Sequence, residues 1–564
     1  VWHPQIVHDI HQQGANGARL FLPPYMAPVE PNVPKQIVEG YTELGNAMAA
    51  DLRSKGFEGI TTNTTYDAWT PARAYSHYHG GVRILSETAS ARIASPITVK
   101  FEDLRGASGG LDAKKESPNF GPLWKGGEWK LRNITDYMTG AAFSLLNHAA
   151  NNREKWLSRF YEVGKEAVRP RKKGELFAFI LPAAQEIKVS NNLSAVGAQN
   201  LSRNKRREGL IAILERAGVE TLHPVRLRVN GKTYPEGTSV VRVDQPYGSF
   251  AKTLMERQIY PDLMDDKGNP IAPYDVTAHT LPLLMDVDVI PMSEVFNTNL
   301  PTTKSLGSGS DCRCSDGPRF AIYKSSPANM DYGWTNWIVE KSGLNTICCG
   351  EFDSILDSEL RTGVKDQPWH KTMTIIFPDQ PANQILNGYA KGSMPDEYVG
   401  GVGKEGVANL KKFVEDGGTL VFLNESSNFA IEQFNLPIKN VTKGLPRKEF
   451  YIPGSILRTE LDTTHPITKG MPKESIAWFE DSPVFDYVPR TDSVPRVVVS
   501  EPSAADTQTK PIAPGTFQIR FIATYPSDPS KILLSGWALG AEKIAGKAAL
   551  VEVRMGKGKI VLFG

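Results

Sequence analysis

Apolar positions recur at intervals of three and four between Pro34 and Lys55, where Ile37, Tyr41, Leu44, Met48 and Leu52 share one helical face. Short apolar runs flank that stretch, at Gln5 to Ile10, Ala18 to Leu22 and Val82 to Leu85. Strand, helix and strand in that order predict an α/β fold. The chain then turns Gly-, Lys- and Trp-rich and becomes helical from Ile134 to Val168, the pattern of a connector with a packing helix. A second α/β unit opens with a strand over Glu175 to Pro182 and a helix over Gly209 to Gly218, stopped by its last glycine. Val229-Asn-Gly-Lys232 is a hairpin signal, and Thr302 to Gly317, rich in Gly and Ser, reads as a linker. A third unit begins at Phe320 to Tyr323 and includes the run Met373 to Pro378. It continues through a helix over Glu405 to Glu415, a turn at Asp416 to Gly418 and a strand over Thr419 to Leu423. That succession follows the βα logic of a parallel sheet. The expected domains are 1–105, a helical connector over 106–175, an α/β domain over 176–301 and a last α/β domain over 318–564.

Composition narrows the function classes. With 64 Lys+Arg against 62 Asp+Glu, no global field recommends a nucleic acid or an anionic membrane as partner. The two basic runs, Arg169 to Lys173 and Arg203 to Arg207, read as solvated linker or helix faces. No apolar run approaches the roughly 20 residues that span a bilayer. The four cysteines, Cys312, Cys314, Cys348 and Cys349, fall in two tight pairs without the spacing of a zinc ribbon. Disulfides, buried thiols and free thiols all remain open for them. The chain opens at Val1 beside an apolar stretch and closes on the strand-like run GKGKIVLFG, which suggests a fragment at both ends.

Two segments concentrate chemistry. Ile6-Val-His-Asp-Ile-His-Gln-Gln-Gly14 places His8 and His11 at the end of an apolar strand, where α/β sheets gather ligands and metals. Val82-Arg-Ile-Leu-Ser-Glu-Thr-Ala-Ser90 sets Glu87 after a strand among small residues, where desolvation raises a carboxyl toward general-base use. The plainer readings are a structural histidine at His11, and at Glu87 a helix cap or an ion pair with Arg83 or Arg92.

DIHQQG, then GARLFLPPY, then ILSETASARIASP some way downstream, together resemble a bacterial branch of the zinc carboxypeptidases of the carboxypeptidase A type. The resemblance implies that the first domain is the C-terminal part of such a peptidase domain. It implies that His11 is the third zinc ligand and that Glu87 is the carboxylate that takes a proton from water and returns it to the leaving amine. The family's mobile aromatic hydroxyl finds its closest match in Tyr66, within Thr65-Tyr-Asp-Ala-Trp69. Tyr66 or Trp69 would then line the substrate pocket. Arg73 would contact a carboxylate, or else form a surface ion pair. His77 and His79 are read as structural or as supporting the site residues from behind, His279 as structural, and Pro273 to Pro282 looks like the branch's long C-terminal extension. Zinc as cofactor, a peptide or amide as substrate, and a periplasmic or secreted location follow from the same resemblance.

One departure matters. The family's first zinc pair is His-x-x-Glu, and none of the ten histidines has Glu three residues later. Either the missing ligands lie upstream or the metal has been lost. The last domain is similar in pattern to class I glutamine amidotransferase-like domains, but Asn424-Glu-Ser-Ser-Asn428 after its strand holds no cysteine, so an inactive scaffold is expected, with Ser426 and Ser427 capping a helix. Three functions compete: a metallocarboxypeptidase-like hydrolase, a non-catalytic peptide- or glycan-binding protein on a peptidase-like scaffold, and an amidotransferase-type hydrolase in the last domain.

Overall fold

The computed structural model describes residues 2–71, 73–184, 195–298, 320–341, 354–363, 374–488, 496–499, 512–513 and 516–564. The four cysteines and the Thr302 to Gly317 linker lie outside the described residues. The chain is α/β and separates into two compact units. One is Val1–Ser308 with Ser535–Trp537, the other Gly309–Leu534 with Ala538–Gly564. Among the described residues no helix is long and apolar enough to cross a membrane.

In the first unit the elements run β1 (Ile6–Gln13), β2 (Leu20–Leu22), β3 (Met26–Val29), α1 (Lys35–Ser54), β4 (Ile60–Thr62), β5 (Asp67–Ala68) and β6 (Val82–Ala89). They continue with β7 (Ile97–Val99), β8 (Phe120–Gly121), β9 (Gly127–Trp129), α2 (Leu131–Asn151) and α3 (Arg153–Ala167). The main sheet has the order β1-β6-β2-β4-β8. β1 pairs parallel to β6, and β6 pairs antiparallel to β2. All eight residues of β6 are buried, because the strand has neighbours on both edges and packing on both faces. β1, at the edge, buries none of its residues fully.

Helix α1 covers this sheet with the face its periodicity predicts: Ile37, Tyr41, Leu44, Met48 and Leu52 are all buried. Gly45 lies on the same face, and a Cβ there would stand 2.0 Å from the Pro23 carbonyl oxygen, so the close approach of α1 to the turn after β2 requires glycine. The helix expected from Ile134 to Val168 is two helices, parted at Asn152, whose φ of −122° is not helical. The Asn152 side-chain amide donates to the His148 carbonyl at 2.9 Å, the local competition for backbone hydrogen bonds that favours a break there.

A four-stranded antiparallel sheet completes the unit: Thr221–Leu222, Ser239–Arg242, Ala178–Leu181 and Ile290–Met292, in that order. Helix Ala195–Arg216 packs beside it and stops just before Gly218, which has φ +84°. The hairpin signal forms a two-residue turn, with Asn230 at φ 49° and Gly231 at φ 76° between paired Val229 and Lys232. Residues of both sheets, among them Leu20, Phe21, Phe179 and Val241, belong to one apolar cluster.

The second unit has a large mixed sheet. Strands Ser354–Leu356, Phe320–Lys324, Thr374–Phe377, Thr419–Leu423 and Gly558–Phe563 are parallel neighbours in that order. The sheet then continues antiparallel through Ala548–Met555 and Thr516–Thr524. Its core stacks Phe377 on Phe422 at 4.5 Å and on Tyr323 at 4.7 Å. The expected parallel pattern therefore holds for one side of the sheet, and the long returning strands make the other side antiparallel.

Glu30, just past β3, is 2% exposed. It accepts hydrogen bonds from the Asn32 backbone N–H and side-chain amide at 2.9 Å each, the Tyr78 hydroxyl at 3.0 Å and the Thr253 hydroxyl at 3.2 Å. Burial nevertheless pushes its carboxyl up from 4.5 to about 7. The folded state thus holds the proton longer than the unfolded state, so the group's contribution to stability is present in acid and is lost as pH rises between those two values.

Two outcomes are expected. Gly45→Ala lowers unfolding free energy by about 1–3 kcal/mol through overpacking, read as a lower urea midpoint at unchanged slope. Across the window from 4.5 to about 7, wild-type stability declines more steeply with rising pH than that of Glu30→Gln, measured by urea unfolding at several pH values.

Candidate active site

In β1 and β6 the register sets Val7 opposite Arg83, Asp9 opposite Leu85 and His11 opposite Glu87. Alternate residues of a strand share a face, so Asp9, His11, Arg83 and Glu87 line one side of the pair. His8, three residues from His11, belongs to the other face. There its Nε2 meets the Ser86 hydroxyl at 2.9 Å, and burial lowers its pKa. β1 runs to Gln13, past the apolar run that predicts it, so His11 sits within the strand and not at its end.

The two central groups differ in environment because their strands differ. The Glu87 residue is 2% exposed, whereas the His11 side chain on the edge strand is 48% exposed. Glu87 makes no ion pair among the described residues, and its buried Oε2 has no hydrogen-bond partner. Burial raises its pKa; neighbouring His11 and the Tyr66 hydroxyl offset part of that rise. Arg83, the ion-pair partner considered for it, is instead committed to Asp9, with Nε at 2.9 Å and Nη2 at 2.5 Å from Oδ2. The other Asp9 oxygen meets His11 Nε2 at 2.8 Å. Burial alone would raise the Asp9 carboxyl, but Arg83 and His11 together hold it below its ordinary value.

Tyr66 is buried against Phe21, ring centroids 4.6 Å apart, and its hydroxyl lies 3.5 Å from Gln13 Oε1. Burial, then the Glu87 charge, keep that hydroxyl protonated by raising its pKa. Tyr274 meets the Tyr66 ring edge-on at 4.5 Å, and the Arg73 guanidinium lies 4.2 Å from the Tyr274 ring centre. Asp67 ties these parts together. It accepts from the Tyr274 backbone N–H at 3.0 Å, the Trp69 N–H at 3.2 Å and Arg73 Nη2 at 3.0 Å. Trp69 itself is buried and donates from Nε1 to the Thr277 carbonyl at 2.9 Å. His77 and His79 lie on a short 3₁₀ helix, Tyr75–His79. His77 is fully buried, which drives its pKa down to about 3. His279 is pushed to about 3 by burial as well.

The sequence-derived residues His11, Glu87 and Tyr66 therefore come together, with Arg73 one ring away and Trp69 behind. The reading passed over Asp9 as the partner of His11, and over Gln13 and Tyr274. Period-two spacing, Asp9 two before His11 and Arg83 four before Glu87, carried the signal for the first pair. Nothing local marked Tyr274.

Among the described residues no group of three His, Cys, Asp or Glu side chains is arranged to hold a metal ion. A catalytic zinc takes three protein ligands, and the site offers one imidazole beside a carboxylate suited to be a base. The described residues do not fit a closed zinc centre. In the second unit the turn after Thr419–Leu423 is strained at Asn424, φ 50°, and is held by Asp379, whose carboxylate accepts from Asn424 Nδ2 at 2.6 Å and the Glu425 N–H at 3.0 Å. Ser426 and Ser427 are fully buried and do not cap the helix. Their hydroxyls donate to strand-end carbonyls, Ser426 to Leu423 at 2.7 Å and Ser427 to Phe563 at 2.9 Å.

No family model matches the chain, and no curated protein matches it. Among solved structures, a ThuA-like protein from Bacteroides uniformis is 13% identical with a TM-score of 0.23, covering 45% of this chain and 85% of that one. A cytoplasmic protein from Salmonella typhimurium is 11% identical with a TM-score of 0.24, covering 44% and 86%. A β-galactosidase from Bacillus circulans is 12% identical with a TM-score of 0.21, covering 44% and 28%. Likenesses this slight assign neither fold nor activity.

An unpaired carboxylate oxygen in a buried site costs stability. Because the Glu87 pKa is raised, the charged form weakens the fold above the ordinary carboxyl range. Glu87→Gln is expected to stabilise the protein at neutral pH by about 1–2 kcal/mol, a gain that vanishes in acid, where both states are protonated; thermal melts at pH 7 and in acid measure it.

Proposed function

We propose that the first unit carries the proton-handling part of a hydrolytic centre of the zinc carboxypeptidase type, acting on a peptide or amide bond. The observation that carries the reading is the in-register pair of His11 and Glu87, with a buried carboxylate oxygen left unpartnered. A carboxylate raised above its ordinary value yet adjacent to a half-exposed imidazole is suited to accept a proton from water. In this reading Glu87 takes that proton as the water oxygen bonds to the carbonyl carbon, then delivers it to the amine nitrogen as the C–N bond breaks. The Tyr66 hydroxyl, kept protonated, donates to the substrate. Tyr274 and Arg73 bound the space in front of it.

The resemblance assigns zinc to such a centre, with His11 as one ligand. Two more protein ligands are needed, and the described residues do not supply them. That shortfall favours a second reading, a peptide- or glycan-binding protein on the same scaffold. For the second unit, the buried serines and the elbow residue Asn424 support a non-catalytic domain of the glutamine amidotransferase-like kind.

The deciding experiment follows release of the C-terminal residue from a short peptide, with zinc content measured in parallel. On the hydrolytic reading Glu87→Gln loses roughly 10²–10⁴-fold in kcat while keeping the metal content of wild type, and His11→Ala loses both. A metal-free, inactive wild-type protein that still binds the peptide would leave the binding reading in its place.

A further inference from the structure

The basic run Arg203 to Arg207 reads from the sequence as a solvated face, but Arg207 is only 7% exposed. It lies on the helix Ala195–Arg216, where Arg203 and Asn204 stand one turn before it on the same side. These three residues line a cavity of about 220 Å³. The rest of its wall comes from Pro182 to Ala184, just past the strand Ala178–Leu181, and from Asp286 to Asp288, just before the strand Ile290–Met292. Pockets for drug-sized ligands run about 300–1,000 Å³, so this one is sized for something smaller.

One side of the Arg207 guanidinium is engaged. Nη1 donates to the Gly237 carbonyl and to the Ser239 hydroxyl, the latter at 3.3 Å. The other side is open, because Nε is buried with no hydrogen-bond partner and Nη2 makes no hydrogen bond among the described residues. No carboxylate among the described residues forms an ion pair with Arg207, and burial, partly offset by Glu208, holds its pKa below the ordinary value. Buried charges are normally paired, since an unpaired one has lost its hydration without a return. Nε and Nη2 are two parallel donors, the fork that grips both oxygens of a carboxylate. Asn204 leaves that fork alone, because its amide closes on Ala184, accepting from the backbone N–H at 2.9 Å and donating to the carbonyl at 3.2 Å. The wall also carries the opposite charge. Asp286 is engaged by Arg206 at 2.6 Å, whereas exposed Asp288 makes no ion pair among the described residues.

We propose that this cavity binds a free amino acid, its carboxylate on the Nε–Nη2 edge of Arg207 and its ammonium toward Asp288. A phosphate would meet the same guanidinium, but the two aspartates in the wall oppose a dianion. Neither Arg207 nor Asp288 belongs to the His11–Glu87 centre, so the site does not depend on the hydrolytic reading.

Calorimetric titration of the full chain with L-alanine, acetate, methylamine and inorganic phosphate, in a buffer free of carboxylates and phosphate, tests this. L-Alanine is expected to bind about three- to fivefold more tightly than acetate, the scale of an exposed ion pair, and methylamine not measurably. Arg207→Lys keeps the charge but loses the two-donor edge, and should weaken alanine binding about tenfold or more. Should that variant fail to fold, the exposed Asp288→Asn replaces it: the advantage of alanine over acetate should vanish while acetate binds no more weakly than to wild type. Absence of alanine binding to wild type, equal binding of alanine and acetate, or an alanine advantage that survives Asp288→Asn each overturns the proposal. Tighter binding of phosphate than of alanine does so too, and would give the cavity to an inorganic oxyanion.

Discussion

The parallel pairing of β1 with β6 is the constraint on which the site depends. It fixes which residues face each other to the residue, since a one-position slip in a strand pair moves every side chain to the opposite face. Such a slip would set Ile10 or Gln12 against Glu87 and turn Asp9 away from Arg83. The register is held by burial more than by polar contacts. β6 is covered on both faces, with Ile84 and Leu85 both inside the core, and neither can turn outward without exposing apolar surface at about 25 cal/mol per Å². Helix α1 enforces this by packing on the sheet, and glycine at position 45 lets it come close enough to do so.

Pairing an edge strand with a central one also sets the electrostatics. Glu87 is carried into the interior by β6, where a charge is disfavoured, while His11 on β1 stays in contact with solvent. Neither environment alone would suit proton transfer. A fully exposed carboxylate is too weak a base near neutrality, and an imidazole as buried as His77 loses its charged form altogether. The arrangement leaves a buried Glu87 oxygen unsatisfied, a cost that the proposed role of the group would account for.

Helix α1 was readable from spacing because only one of its faces is buried, so burial and sequence period coincide. The hairpin at Asn230 and Gly231 was readable because two consecutive positive-φ residues demand those side chains. β6 was readable only to Leu85. Its last residues, Ser86, Glu87 and Thr88, are polar yet as buried as the first, and a hydrophobicity pattern cannot announce a strand whose burial is imposed by neighbours. That conflict between local polarity and global burial falls on Glu87, the residue proposed as the base, and functional sites are where such conflicts are expected. Tyr274 was invisible for a different reason. It reaches the site through a backbone bond to Asp67, 207 positions away, and no local period encodes a contact of that span.

The pairing of Asp9 with Arg83 has one more consequence for His11. A carboxylate held by two guanidinium bonds stays ionised and can only accept, so the His11 nitrogen it meets, Nε2, is the one that bears hydrogen. In a neutral ring the lone pair is then confined to Nδ1. The choice is made two residues away on the same strand and one strand over, by Asp9 and Arg83. An Asp9→Asn exchange would keep the shape but present an amide that can donate as well as accept, freeing the ring to take either tautomer. The orientation and the lone-pair position of the imidazole are thus properties of the β1–β6 register as much as of the histidine, and the same register that buries Glu87 decides which face of His11 it meets.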